Sequence, residues 1–210
     1  MAIAFDAATD GGNSATGTLT FAHTCTGTNR FIVVGFVGNT VDDVTGVTYN
    51  GVAMSLIAKV LSDSTRYVYL YGLVAPATGS NNVVITTSSA DTIIGGALSY
   101  TGVKQEAAEA SGTAAGASTH PQASVTTVTA NAWVVGILAG STNDDTTADS
   151  GTTFRASLTA ARRKLADSGV PIATPASTPL GMTYTSAEWG CVVTSLAPTP
   201  ETFIPKIMMS

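Results

Sequence analysis

Charge is what this sequence has least of: 11% of its 210 residues are Asp, Glu, Lys or Arg, where an ordinary globular chain has about a quarter. Disorder is excluded even so, because 44% of the residues are hydrophobic and the mean hydropathy is +0.28, whereas disordered chains combine high charge with few apolar residues. The formal net charge of -5 argues against an electrostatic grip on nucleic acid or on an anionic membrane. Long apolar runs are missing too. Phe31–Gly38 and Trp133–Gly140 are the longest at eight residues each, far short of the roughly 20 that cross a bilayer, and both read as buried strands. Met1-Ala2-Ile3-Ala4-Phe5-Asp6 turns polar too early for the apolar stretch of a secretory signal.

Cysteine and histidine are scarce, with two of each. Cys25 and Cys191 lie near opposite ends of the chain. A bridge would require the first and last long strands to be neighbours; buried free thiols are the alternative. His23 sits within a strand pattern and His120 in a Gly/Ser loop before Pro121, so they read as sheet-face and surface residues. The chain has no Gly-x-Ser-x-Gly elbow, phosphate-binding loop, His-Glu-x-x-His or Cys-x-x-Cys. Glu106 and Glu109 form the closest glutamate pair but occupy a small-residue stretch, not the shaped sheet positions of a glycosidase. The expectation is therefore a non-enzymatic protein with no catalytic residues and no cofactor. Two loops, with Asn39, Asp42 and Asp43 and with Asn143, Asp144, Asp145 and Asp149, offer oxygen ligands to a structural Ca²⁺, without the EF-hand spacing.

What is present is strand and turn chemistry. Apolar or β-branched runs bounded by Gly, Asn, Asp, Pro or Ser predict strands over Thr16–His23, Arg30–Gly38, Gly46–Tyr49, Val52–Leu61, Tyr67–Val74, Asn82–Thr87 and Ile93–Thr101. The same pattern continues over Ala123–Thr127, Trp133–Gly140, Arg162–Ala166, Met182–Thr185 and Glu188–Leu196. Asn50-Gly51 between Tyr49 and Val52 predicts a type I′ hairpin. Neither Phe31–Val34 nor Trp133–Val135 alternates, which predicts strands covered on both faces. Tyr67, Tyr69 and Tyr71 share one face of their strand and form a candidate interface. The cationic cluster Arg162-Arg163-Lys164 is a second, suited to acidic side chains of a neighbour. Ala156–Asp167 has some helical composition, but strand or extended loop fits its flanks better. Lys104–Pro121 reads as a low-complexity loop dividing two halves of a sandwich, and Val47–Val52 echoes Leu98–Val103. After Leu196, three prolines space the apolar residues Phe203, Ile204, Ile207 and Met208, the pattern of an extended arm that docks on a partner. The predicted fold is all-β, an antiparallel β-sandwich over residues 1–197 with a Pro-rich C-terminal arm over 198–210.

Four segments, Val44–Met54, Tyr69–Gly79 with Asn82-Val83-Val84, Ser99–Val103 and Trp189–Pro198, resemble the jelly-roll β-sandwich family found in tailed-phage virion proteins and in large bacterial surface proteins. The likeness spans about residues 15 to 198 and rests on strand and turn residues, so it bears on fold more than on role. It implies a virion structural protein, such as a capsid decoration or cement protein or another head or tail accessory component. Such a protein would be assembled in the host cytoplasm. Its partners would be copies of itself, favouring a trimer, and other virion proteins such as the major capsid protein, with no nucleic acid and no membrane. The alternatives are a glycan-binding or host-adhesion module, with Trp133 and Trp189 as candidate sugar platforms, or a subunit of an extracellular filament.

Overall fold

The computed structural model describes residues 1–39, 41–62, 66–90, 92–141, 146–159, 162–184 and 187–200, and every regular element among them is a strand. The first half contributes β1 (Ala4–Ser14), β2 (Thr18–Cys25), β3 (Phe31–Val37), β4 (Val44–Tyr49), β5 (Val52–Ala53), β6 (Ser55–Ser62), β7 (Arg66–Val74), β8 (Gly79–Thr87) and β9 (Ile93–Thr101). These make an inner sheet ordered β1-β9-β3-β7-β6 and an outer sheet ordered β2-β8-β4-β5. The pairing is nested and antiparallel: β1 with β9, β2 with β8, β3 with β7, β4 with β5.

The second half repeats this wiring with β10 (Ala110–Ser118), β11 (Gln122–Thr126), β12 (Trp133–Gly140), β13 (Thr147–Ala148), β14 (Thr153–Leu158), β15 (Arg163–Asp167), β16 (Ser177–Thr183) and β17 (Ala187–Leu196). Its inner sheet runs β10-β17-β12-β15-β14 and its outer sheet β11-β16-β13. The repeat extends to single residues. Asn29 and Asn131 both take positive φ, 50° and 61°, just before the central strands β3 and β12. Those strands then send Phe31, Val33 and Val37, and Trp133, Val135, Ile137 and Ala139, into one common core.

Three cores separate four layers. One, with Val47, Tyr49, Val83 and Ile85 against Ile32, Val34, Phe36 and Tyr69, lies between the first outer and inner sheets. Another, with Ala123, Val125 and Leu180 against Val134, Leu138 and Val193, lies between the second pair. The largest is the seam where the two inner sheets meet face to face. β3 and β12 are buried at every position because each has a sheet on both sides. In the seam Gly35 leaves a hollow that the second half fills: a Cβ there would lie 2.6 Å from Leu165 Cδ2 and 3.1 Å from Ile137 Cβ.

Several expectations need correction. Ala110–Ser118, within the stretch read as a divider, is the edge strand β10, paired along its length from Ala110 with Ser195 to Ser118 with Ala187. Its Ala, Gly and Ser residues carry no strand signal, yet the tight approach of β11 demands them: a Cβ on Gly112 would sit 2.0 Å from the Ser124 carbonyl oxygen. Strands β1, β13 and β14 were likewise not foreseen. The echo between Val47–Val52 and Leu98–Val103 joins β4 to β9, which occupy different places in the repeat, so it does not mark the repeated unit. Cys25 and Cys191 are free and buried in different outer cores with both inner sheets between them, which rules out a bridge.

Because Gly35 accommodates Ile137 and Leu165, Gly35→Ala should overpack the seam and cost about 1–3 kcal/mol. Urea unfolding monitored by circular dichroism checks this.

Candidate functional site

The chain enters and leaves the fold at one pole, and short backbone contacts hold both ends there. Gly102 and Val103, which follow β9, meet Pro198 and Thr199, which follow β17. Val103 and Pro198 form an isolated antiparallel bridge. Lys104 N donates to Ala197 O (2.8 Å) and Thr199 N to Gly102 O (2.8 Å). The Thr199 hydroxyl donates to the carbonyls of Gly102 and Val103 at 3.0 and 3.1 Å, and the Met1 nitrogen donates to Thr199 O at 3.0 Å. Because β9 and β17 are equivalent strands of the two halves, this strap ties one half to the other.

Beside the strap lies a groove of about 390 Å³ lined by Met1, Lys104, Asn131, Pro171 and Pro200, among others. Met1 (57% exposed) lines it, and Val128 (63%) and Val170 (61%) lie close in sequence to its lining residues Thr129 and Pro171. Phe203, Ile204, Ile207 and Met208 lie outside the described residues, so the arm's root, Pro198–Pro200, is what the structure places. Pro198 and Thr199, expected to begin the free arm, are instead bound into the fold by the strap.

The other candidate interface residues are largely turned inward. Tyr69 is buried, stacks on Phe36 with ring centroids 4.8 Å apart, and donates its hydroxyl to Asp42 at 3.1 Å. Tyr67 and Tyr71 are half-buried and pack against the same core. The tyrosine face thus forms part of the chain's own interior, because the outer sheet covers it. The cationic run also divides. Arg163 and Lys164 are buried, and Lys164 donates to Ser157 and lies over the Phe154 ring, so neither is a solvated surface charge. Trp133 is buried in the seam, edge-on to Tyr100, and is no sugar platform.

Two polar clusters inside the fold were not foreseen. In the seam, Asp167 is fully buried, accepts from Tyr100 Oη at 2.8 Å and pairs with Arg155 Nε at 2.7 Å. It links the halves, since Tyr100 belongs to β9 and Asp167 to β15. The second cluster lies between β1, β2 and β9. His23 is buried and shares a 2.8 Å hydrogen bond between Nδ1 and Thr9 Oγ1. Burial pushes its pKa down to about 4, against the opposing pull of Asp6. Asp6 accepts from Thr26 and from Ser99; burial alone would raise its pKa, but these bonds and His23 leave it below the ordinary value. Cys25, on the same face as His23, has its pKa raised mainly by burial. Asp42 and Asp43 are held by protein donors: Asp42 pairs with Lys59 and Asp43 accepts from Ser89. Among the described residues, no group of three His, Cys, Asp or Glu converges as a metal site. Asn143, Asp144 and Asp145 lie outside them.

No protein-family model, curated protein or solved structure matches the chain.

The buried His23 sets a pH dependence. A base whose pKa falls on folding stabilises the protein above its unfolded value and loses that contribution as pH drops toward its folded one. Stability should therefore fall by roughly 2 kcal/mol from pH 7 to pH 5, the window between 6.5 and about 4. His23→Phe should flatten that slope in urea titrations. Asp6, whose carboxyl is held below its ordinary value by its hydrogen bonds to Thr26 and Ser99, acts at lower pH.

Proposed function

We propose that this protein is a non-enzymatic structural component of a virion, a capsid decoration or cement protein or another head or tail accessory protein that stabilises the particle through subunit contacts. The observation that carries this reading is the anchored root of the C-terminal arm. The strap fixes Pro198 and Thr199 beside an apolar groove, and the chain beyond Pro200 carries Phe203, Ile204, Ile207 and Met208. A tail rooted rigidly at one pole loses less freedom on docking than one leaving from a mobile end. Burying four such side chains on a partner yields on the order of 6–12 kcal/mol before ordering costs, and a lattice multiplies each contact.

The nested antiparallel strand pairing of each half supports a jelly-roll reading of the sandwich and, with it, the resemblance to phage virion proteins. Sparse charge supports it as well, since surfaces that meet other subunits bear little of it. The partners in this reading are further copies of the chain, with a trimer at a capsid symmetry point favoured, and the major capsid protein. Truncation after Pro200 leaves the strap intact. It should preserve the thermal unfolding midpoint yet reduce incorporation into particles at least tenfold, measured by quantitative mass spectrometry of purified virions. Normal incorporation of the truncated protein would refute the arm's role.

A further inference from the structure

The pole opposite Pro198–Pro200 collects three arginines, Arg66, Arg162 and Arg163, that no ion pair among the described residues neutralises. β15 begins there with Arg163, and its alternate residues Leu165 and Asp167 point into the seam. Arg163 therefore enters the seam at its end, where it is 2% exposed. Its Nε and Nη1 are buried and have no hydrogen-bond partner, and the same is true of Arg162 Nε, although Arg162 Nη1 donates to Ser141 O at 2.6 Å. In the facing sheet, β7 begins with Arg66, on the face that carries Val68 and Leu70 into the seam. Burial, with the neighbouring charges of Arg162 and Arg66, brings the Arg163 pKa down to about 10, so it remains charged at neutral pH.

Among the described residues, the ion pairs are Lys59 with Asp42, Lys104 with Glu106, His120 with Asp149 and Arg155 with Asp167. None involves these three arginines. The contrast within β15 is informative. At one end Asp167 has an arginine, a tyrosine hydroxyl and the Gly169 N–H, at 2.7, 2.8 and 2.8 Å. At the other end Arg163, equally deep, has two idle donors. A buried guanidinium with unused N–H groups is costly to fold around and becomes favourable once an anion accepts from it. The planar fork of arginine suits carboxylate and phosphate oxygens, which accept two parallel bonds.

We propose that the Arg66, Arg162 and Arg163 pole is an oxyanion-binding site, in which a phosphate or carboxylate group accepts from Arg163 Nε and Nη1 and from Arg162 Nε. This inference is independent of the assembly reading, since the arm leaves from the other end of β12. The ligand chemistry has two sources, a free phosphate ion or the carboxylate of an acidic side chain on another molecule.

The test titrates inorganic phosphate, malonate and, at matched ionic strength, sodium chloride into the full chain, following the unfolding midpoint and the heat of binding. The expected result is a saturable rise of a few degrees with phosphate or malonate and none with chloride. A larger response to phosphate identifies a free ion, and a larger response to malonate identifies a carboxylate group. Arg163→Met, which keeps the buried volume, should abolish the response. Should that variant fail to fold, Arg66→Gln, at a half-buried position, should weaken apparent affinity at least threefold. A response that matches chloride overturns the proposal. So does a full response retained in Arg163→Met or Arg66→Gln.

Discussion

The fold depends on one constraint: the central strands of the inner sheets, β3 and β12, have no solvent face. β3 and β12 are apolar at nearly every position, so each half, folded alone, would leave Phe31, Val33 and Val37, or Trp133, Val135 and Ile137, against water. Stacking the inner sheets removes both faces at once, and the repeat makes the match nearly symmetric. At the centre the symmetry is broken to useful effect, because Gly35 in one strand faces Ile137 in the other and knob meets hollow. The polar features of the seam follow from the same geometry. A carboxylate so far from water persists because Arg155, Tyr100 and the Gly169 N–H surround it.

The sequence made the fold class legible and hid the architecture. Runs such as Phe31–Val34 and the Asn50-Gly51 turn carry their strand signal in side chains that only a sheet or a hairpin accommodates, and the predicted segments overlap strands, Met182–Thr185 only at Met182 and Thr183, with Thr185 outside the described residues. The failures share a cause. Strand β10 is built of Ala, Ser, Gly and Thr, whose place in a sheet is decided by the close approach of β11 and the β17 ladder, both distant in sequence. The repeat was missed because what recurs is burial parity and backbone shape; Phe31 and Trp133, or Asn29 and Asn131, are equivalent in place while most neighbouring identities differ. Double coverage of β3 and β12 was legible, and its partner, the other half of the same chain, was not.

Site residues show the same division. Tyr67, Tyr69 and Tyr71 do share a face, as their spacing requires, but which side of the sheet is covered is a tertiary fact, and the outer sheet takes it. Consecutive basic residues read as one interface patch for acidic side chains of a neighbour, whereas strand alternation sends Arg163 into the seam and Lys164 toward Ser157 and Phe154 on the other side. The cluster of Asp6, His23 and Ser99 joins strands far apart in the chain, and no local pattern announces it. The two ends of the described molecule differ: one carries the strap at Pro198 and Thr199 beside the groove, the other the unpartnered Nε and Nη1 of Arg163 and Nε of Arg162.

The central claim is that the seam makes two sandwiches into one cooperative body. Differential scanning calorimetry of the full chain tests it most directly. A single transition whose calorimetric and van't Hoff enthalpies agree is the predicted result. Two separable transitions, each with roughly half the enthalpy, would contradict it and show that the halves fold independently.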